Sequence, residues 1–328
     1  EVQDIQSVLE SCPEADELRH FPGPLTRIHT HKKDVLLHCQ QKARACAENI
    51  NMVDRESALL IWRFLELLIK QNGSVVGTDL ADLLLEGHEP LTHEFTNSEV
   101  HDIVPRGNSE TRHRASASPD IRISSERTII NSAADTEREK WIDRFRSLLL
   151  YGHKKDALEC AMKNNLWGHA LFLASKMDSR THANVMTRFA NGAIQMNDPL
   201  QTLYQLMSGR QPAAVTCVVD ERWGDWRPHL AMILSNQTSR PDIDRKSITT
   251  LGDTLAAKGY LHASHFCYLM AQVNFGSYIR KTSKLVLIGS SHNSPLQEFA
   301  VNDAIQCTEV YEYAQSLGNP AFCLPHFQ

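Results

Sequence analysis

Residues Tyr151 to Gly192, YGHKKDALECAMKNNLWGHALFLASKMDSRTHANVMTRFANG, hold three consecutive amphipathic segments with almost no loop between them. In the first, Ala157, Leu158, Ala161 and Met162 recur at helical spacing while Lys154, Lys155 and Glu159 take the other face. In the second, Leu166, Ala170, Leu173, Ala174 and Met177 form a stripe that Trp167 and Leu171 widen, with Asn165 as N-cap. A face this broad has to be covered on two sides, and it makes Trp167 a core residue. The third starts after Asp178 and Ser179, either able to cap it. It turns Val185, Met186, Phe189 and Ala190 inward and ends near Gly192, read as residue C′. Small residues at Ala157, Ala161, Gly168, Ala170 and Ala174 let such helices approach closely, as stacked α-solenoids require.

The rest of the chain extends this pattern in both directions. Ile5, Val8 and Leu9 suggest a short helix at the start, and Phe21-Pro22-Gly23-Pro24-Leu25 is a rigid turn that no helix crosses. Thr30 caps a helix to about Asn49. Asp54 caps a second that is apolar nearly all round, hence central, and a third opens at Thr78 or Asp79 and closes at Gly87 and Pro90. Residues 1–30 thus precede a group of helices over 31–87. From 88 to 136 large apolar residues are few, and the segment reads as a mobile, disordered polar insertion, too poor in burial to offset its ordering entropy. Residues 137–328 resume as helical solenoid. Glu137 to Tyr151 leads into the opening triplet, and Asp198 as N-cap, Pro199 at N1 and Gly209 at C′ bracket a clean helix. Further helices are expected from Trp226 or Arg227, over 243–258, 261–273, 295–299 and 302–317; KLVLIGSSH could be a short strand, too brief for periodicity to decide.

Composition narrows function. A net charge of −5 with no basic cluster disfavours a nucleic-acid surface. The eight cysteines form no CxxC pair and read as reduced core thiols. No apolar run approaches the roughly 20 residues that span a bilayer, and the chain begins with Glu, which reads as an excised piece of a longer protein. His262, His265 and Cys267 could be read as a metal cluster, as could His29 and His31, yet neither set has the three or four convergent ligands zinc needs. No Walker A loop, GxGxxG, HExxH or GxSxG occurs. The reading is therefore no catalytic residues, no cofactor, no metal and no enzyme. Trp62, Trp141 and Trp167 lie on apolar stripes, whereas Trp223 and Trp226 flank a Gly-Asp turn and are candidate dimer contacts. Ser116, two residues after Arg114, and Ser118, before Pro119, are candidate phosphorylation sites within the insertion.

The run LLLYGHKKDALECAMKNNLWGHALFLASKMDSRTHANVMTRFA, with NDPLQTLYQLMSGRQPAA, WGDWRPHLAMILSN, GDTLAAKG, ASHFCYLMA and KLVLIGSSH, resembles the central conserved domain of the secretory sixteen (Sec-sixteen) family. FPGPL, THK and QNGSVVGTDLADLLL are similar to that family too, so the resemblance covers nearly all of the chain except the insertion. It implies an all-α, fold-back α-helical solenoid of the ancestral coatomer element type. It also implies a non-enzymatic scaffold organising COPII coat assembly at endoplasmic-reticulum exit sites, on the cytosolic face and peripheral to the membrane, its membrane association indirect or through regions outside this chain. The implied partners are the secretory thirteen β-propeller of the COPII outer coat, which the family completes with donated strands, other COPII components, and a second copy in a homodimer. On this resemblance partner binding falls on Glu1, Val2 and Gln3, as the tail of the last donated strand, and on Phe21, Pro22, Gly23, Pro24 and Leu25. A helical-repeat RNA binder or another adaptor module is the alternative, and would need a basic, aromatic-bearing concave face.

Overall fold

The computed structural model describes residues 20–23, 25, 30–87, 121–217, 226–325 and 327, with side chains from 136 onward in the helix that starts at 121. Among the described residues there are helices and two isolated bridges but no strand. The chain groups into two units. One comprises Glu1–His88 with Met196–Gln328, the other Glu89–Gln195.

The first unit is built from both ends of the chain. Helices α1 (Lys32–Glu48), α2 (Arg55–Lys70) and α3 (Gly77–Leu85) come from its first segment. The second supplies α8 (Pro199–Met207), α9 (Arg227–Ser235), α10 (Pro241–Ala257), α11 (Leu261–Met270), the short α12 (Leu296–Phe299) and α13 (Asn302–Gly318). As its all-round apolar pattern requires, α2 is central: it packs on α1, α3, α11 and α13 and buries Ile61, Phe64, Leu65, Leu68 and Ile69. Between the two segments α3 packs on α9, so closely that a Cβ at Gly77 would stand 2.3 Å from the carbonyl oxygen of Leu234. Only glycine permits that approach. Phe266, wholly buried, has its ring centroid 5.6 Å from that of Phe64 and 6.0 Å from that of Trp226.

Polar groups inside this unit are matched over long sequence distances. Asp54 occupies the N-cap position of α2, where the sequence expects it, but its carboxylate does not cap that helix. Oδ2 instead accepts from the backbone N–H groups of His262 (2.7 Å) and Ala263 (3.1 Å), the second and third residues of α11, whose own N-cap, Tyr260, supplies no side-chain bond. An unpaired helix N-terminus is thus capped by a residue 208 positions away. Thr308 Oγ1 accepts from Ile288 N (2.9 Å), and His229 Nδ1 lies 2.8 Å from Thr202 Oγ1. KLVLIGSSH forms no strand: Leu285 bridges to Phe275 and Leu287 to Ser290, and turns fill the rest.

The second unit is sequential. Helices α4 (Ile121–Leu150), α5 (Lys154–Lys163), α6 (Trp167–Ser175) and α7 (Ser179–Gly192) each pack on the next around Phe145, Ala157, Leu158, Ala161, Met162, Ala170, Ala174 and Val185. Asp178 caps α7 by accepting from Thr181 N (2.8 Å). Four local expectations change. The helix expected from Glu137 starts at Ile121, and neither Pro nor Gly interrupts it before Gly152. Asn165 is not an N-cap: at φ +57 it makes the left-handed turn between α5 and α6. Gly192 is the last residue of α7 rather than its C′ residue. Trp167 is only half-buried, its ring 5.6 Å from Phe189, because α6 is covered by α5 and α7 and its remaining side faces water, leaving Phe172 71% exposed.

Candidate interaction surfaces

Among the described residues no group of three or more His, Cys, Asp or Glu could hold a metal ion. The histidines and cysteine of α11 serve packing. His265 is buried and its Nδ1 accepts from Gly289 N (2.9 Å), so the ring is neutral; burial holds its pKa down at about 3. Burial likewise holds His229 at about 4 and keeps His262 below its ordinary value, the latter despite Asp54 at 3.8 Å. Thiols behave in the complementary way: burial pushes Cys39 up to about 12 and Cys267 above its usual range, which leaves both protonated and unreactive.

Of the expected partner-binding residues, Phe21, Pro22, Gly23 and Leu25 are described and all are half-buried against the first unit. The Phe21 ring meets His38 edge-on at 5.1 Å, His38 meets Trp62 at 5.8 Å, and Leu25 N donates to Glu309 Oε1 at 2.7 Å. A Cβ on Gly23 would lie 2.2 Å from the Phe21 ring, so glycine lets that ring fold back. These residues fasten the N-terminal segment to α1 and α13. Glu1, Val2, Gln3, Pro24, Trp223, Ser116 and Ser118 lie outside the described residues.

Trp226, expected at a dimer contact, is 7% exposed. It precedes Pro228 in the first turn of α9, and that entry turns the indole inward onto Phe266 rather than out to a partner. It lines a cleft of about 570 Å³ together with Ile50, Met52, Val53, Arg55, Arg227 and Tyr260 among others. Ile50 and Val53 stand in the turn between α1 and α2 with most of their surface in water. Sequence reasoning missed this rim, as it missed Phe172: an apolar residue in a short turn or beside a broad helical stripe carries no mark of which side its neighbours leave bare.

Comparison with known proteins gives concordant likenesses. Residues 145–328 match the family described as the Sec16 Sec23-binding domain, and residues 1–73 that described as the vesicle coat trafficking protein Sec16 mid-region. The whole chain is 54% identical to Protein transport protein Sec16A of Mus musculus and 45% identical to Protein transport protein Sec16B of Homo sapiens. It spans 14% of the former and 30% of the latter. In a solved structure of the Sec13/Sec16 complex of S. cerevisiae, one chain superposes with a TM-score of 0.58 at 20% identity, covering 98% of this chain and 77% of that one. At that identity the likeness is one of fold, and the all-α fold-back solenoid expected from the sequence is the fold the two chains share.

Proposed function

The chain belongs to the Sec16 family, and from that premise we propose that it is a non-enzymatic scaffold domain that organises COPII coat assembly at endoplasmic-reticulum exit sites. It acts by presenting helical surface to coat proteins, among them the secretory thirteen propeller and the Sec23 component after which the matching family domain is named. The observation that carries the reading is the match to Sec16A, which covers 100% of this chain at 54% identity. It acts on the cytosolic face of the endoplasmic reticulum; no described helix is long and apolar enough to cross a membrane. Phosphorylation at Ser116 or Ser118 would alter recruitment of partners rather than the helical core, by adding roughly −1.5 to −2 charges per site.

The test is co-elution in size-exclusion chromatography of the chain with the secretory thirteen propeller and, separately, with Sec23. The chain is used alone and extended upstream by the strand-donating segment of its relatives. Because strand addition draws its affinity from backbone hydrogen bonds, the extended form should hold the propeller more tightly. If neither form retains either partner, the reading fails.

A further inference from the structure

Between Phe275 and Leu285, which bridge to each other, the chain makes a closed loop on the first unit. Its base is pinned at several points. Gly276 N donates to Leu285 O (2.9 Å), Tyr278 Oη to Ser294 O (3.1 Å) and Lys281 Nζ to His292 O (2.9 Å), while the Tyr278 ring packs 4.7 Å from that of Phe299. At the tip, residues 279–282 are all exposed, and Ile279 is 87% in water.

A lone exposed aliphatic residue is ordinary. What sets this one apart is its surroundings. Arg280, Lys281 and Lys284 share the loop, and no Asp or Glu stands anywhere between Asp253 and Glu298. Asp253, which reaches the loop from α10, is already engaged by Lys284 and by Tyr268 Oη. The tip is therefore a fixed aliphatic knob flanked by cations.

We propose that the Tyr278–Lys284 loop is a membrane contact that docks this domain on an anionic lipid surface. Ile279 enters the boundary between headgroups and acyl chains, and Arg280 and Lys281 meet lipid phosphates and carboxylates, with Lys284 beside them. The charge pattern matches a bilayer in order of depth, with anions outermost and hydrocarbon beneath. An acidic protein would instead need a pocket for a side chain that this loop holds out into solvent. One short loop makes a weak contact, suited to orienting a domain already brought to the membrane by other means.

Cosedimentation of the 328-residue chain with lipid vesicles tests this independently of the coat reading, since no coat protein is present. Vesicles of phosphatidylcholine alone are compared with vesicles containing about one-third phosphatidylserine. The expected result is binding to the anionic vesicles only. It should weaken as salt rises and fall by roughly tenfold in Ile279→Asp and in the double variant Arg280→Glu, Lys281→Glu. Circular dichroism should stay unchanged in both, and so should the melting temperature of Ile279→Asp, whose side chain lies in solvent; the double variant also loses the Lys281–His292 bond and is compared with Arg280→Glu alone, which keeps it. Absence of binding, or equal binding by the variants, overturns the proposal. Retention on polyglutamate beads without retention on vesicles overturns it as well and assigns the loop to an acidic protein surface.

Discussion

Each unit of this protein makes its core differently. In the second, α4 to α7 follow one another in sequence and in space, and every helix packs on its neighbour along the chain. In the first, α2 packs on its neighbours α1 and α3, but the burial of α2 and α3 is completed by α9, α11 and α13, which return from the far end of the chain to cover them. The side chains follow suit. The sequential unit relies on Ala157, Ala161, Ala170 and Ala174, which let adjacent helices close up, whereas the returning unit stacks Phe64, Trp226 and Phe266. Caps differ in the same sense: Asp178 caps the helix it precedes, and Asp54 caps one 208 residues away. Neighbour-by-neighbour packing makes stability a sum of local terms. Long-range packing makes it collective, because closing the long loops is costly until all the contacts are made.

That contrast can be broken by experiment, and the largest effect belongs to Phe266→Ala. Emptying a wholly buried ring should cost about 3–5 kcal/mol, and hydrogen exchange should accelerate together in α2, α9 and α11. Faster exchange confined to α11 would show that the first unit is not collective.

Acidification comes next. Burial holds His229 and His265 at about 4 and about 3 when folded, against an ordinary 6.5. Below pH 6.5 the unfolded chain binds protons that the folded chain refuses. The contribution is therefore level above about pH 7 and stability falls as the pH drops from roughly 6 to 4, on the order of 1 kcal/mol per pH unit for each ring. Urea unfolding at a series of pH values measures it; a midpoint unchanged between neutral and mildly acid solution contradicts the neutral, buried imidazoles.

Trp167→Ala, in the sequential unit, should cost only about 2 kcal/mol, since a half-buried ring forfeits part of the usual large-to-small penalty. Its loss should leave exchange in α2 and α11 as it was. Asp54→Ala should cost about 1–2 kcal/mol, within the range of a lost cap, yet open α11 rather than the helix that Asp54 precedes. Exchange in α2 alone would sink the long-range cap. Asp178→Ala is the smallest change, a loosening of the first turn of α7 that NMR amide shifts should confine to Asp178–Ala183.

The sequential unit is also the part most legible in the sequence. Ala157, Leu158, Ala161 and Met162 announce α5, and Asp178 announces the start of α7, because periodicity and capping act within a turn or two of the residue that shows them. Asp198, Pro199 and Gly209 bracket α8 for the same reason: Asp198 accepts from Leu200 N at 2.8 Å, and Gly209 takes φ +77. The surfaces were much less legible. Trp226 looked like an interface residue beside its turn and is core. Phe172, which the stripe read for its helix does not include, lies in water, as does Ile279 among its cations.

The amino-acid order by itself determined that this chain is helical, roughly where most helices begin and end, and which family it resembles. All of these depend on residues close together along the chain. The tertiary structure alone decided that α3 closes on α9 over Gly77, that Asp54 serves α11, and which apolar side chains remain bare. The reason is physical. Helical periodicity says which face of a helix is apolar, but whether that face is covered depends on partners that fold back from hundreds of residues away, and nothing in a local pattern encodes their arrival.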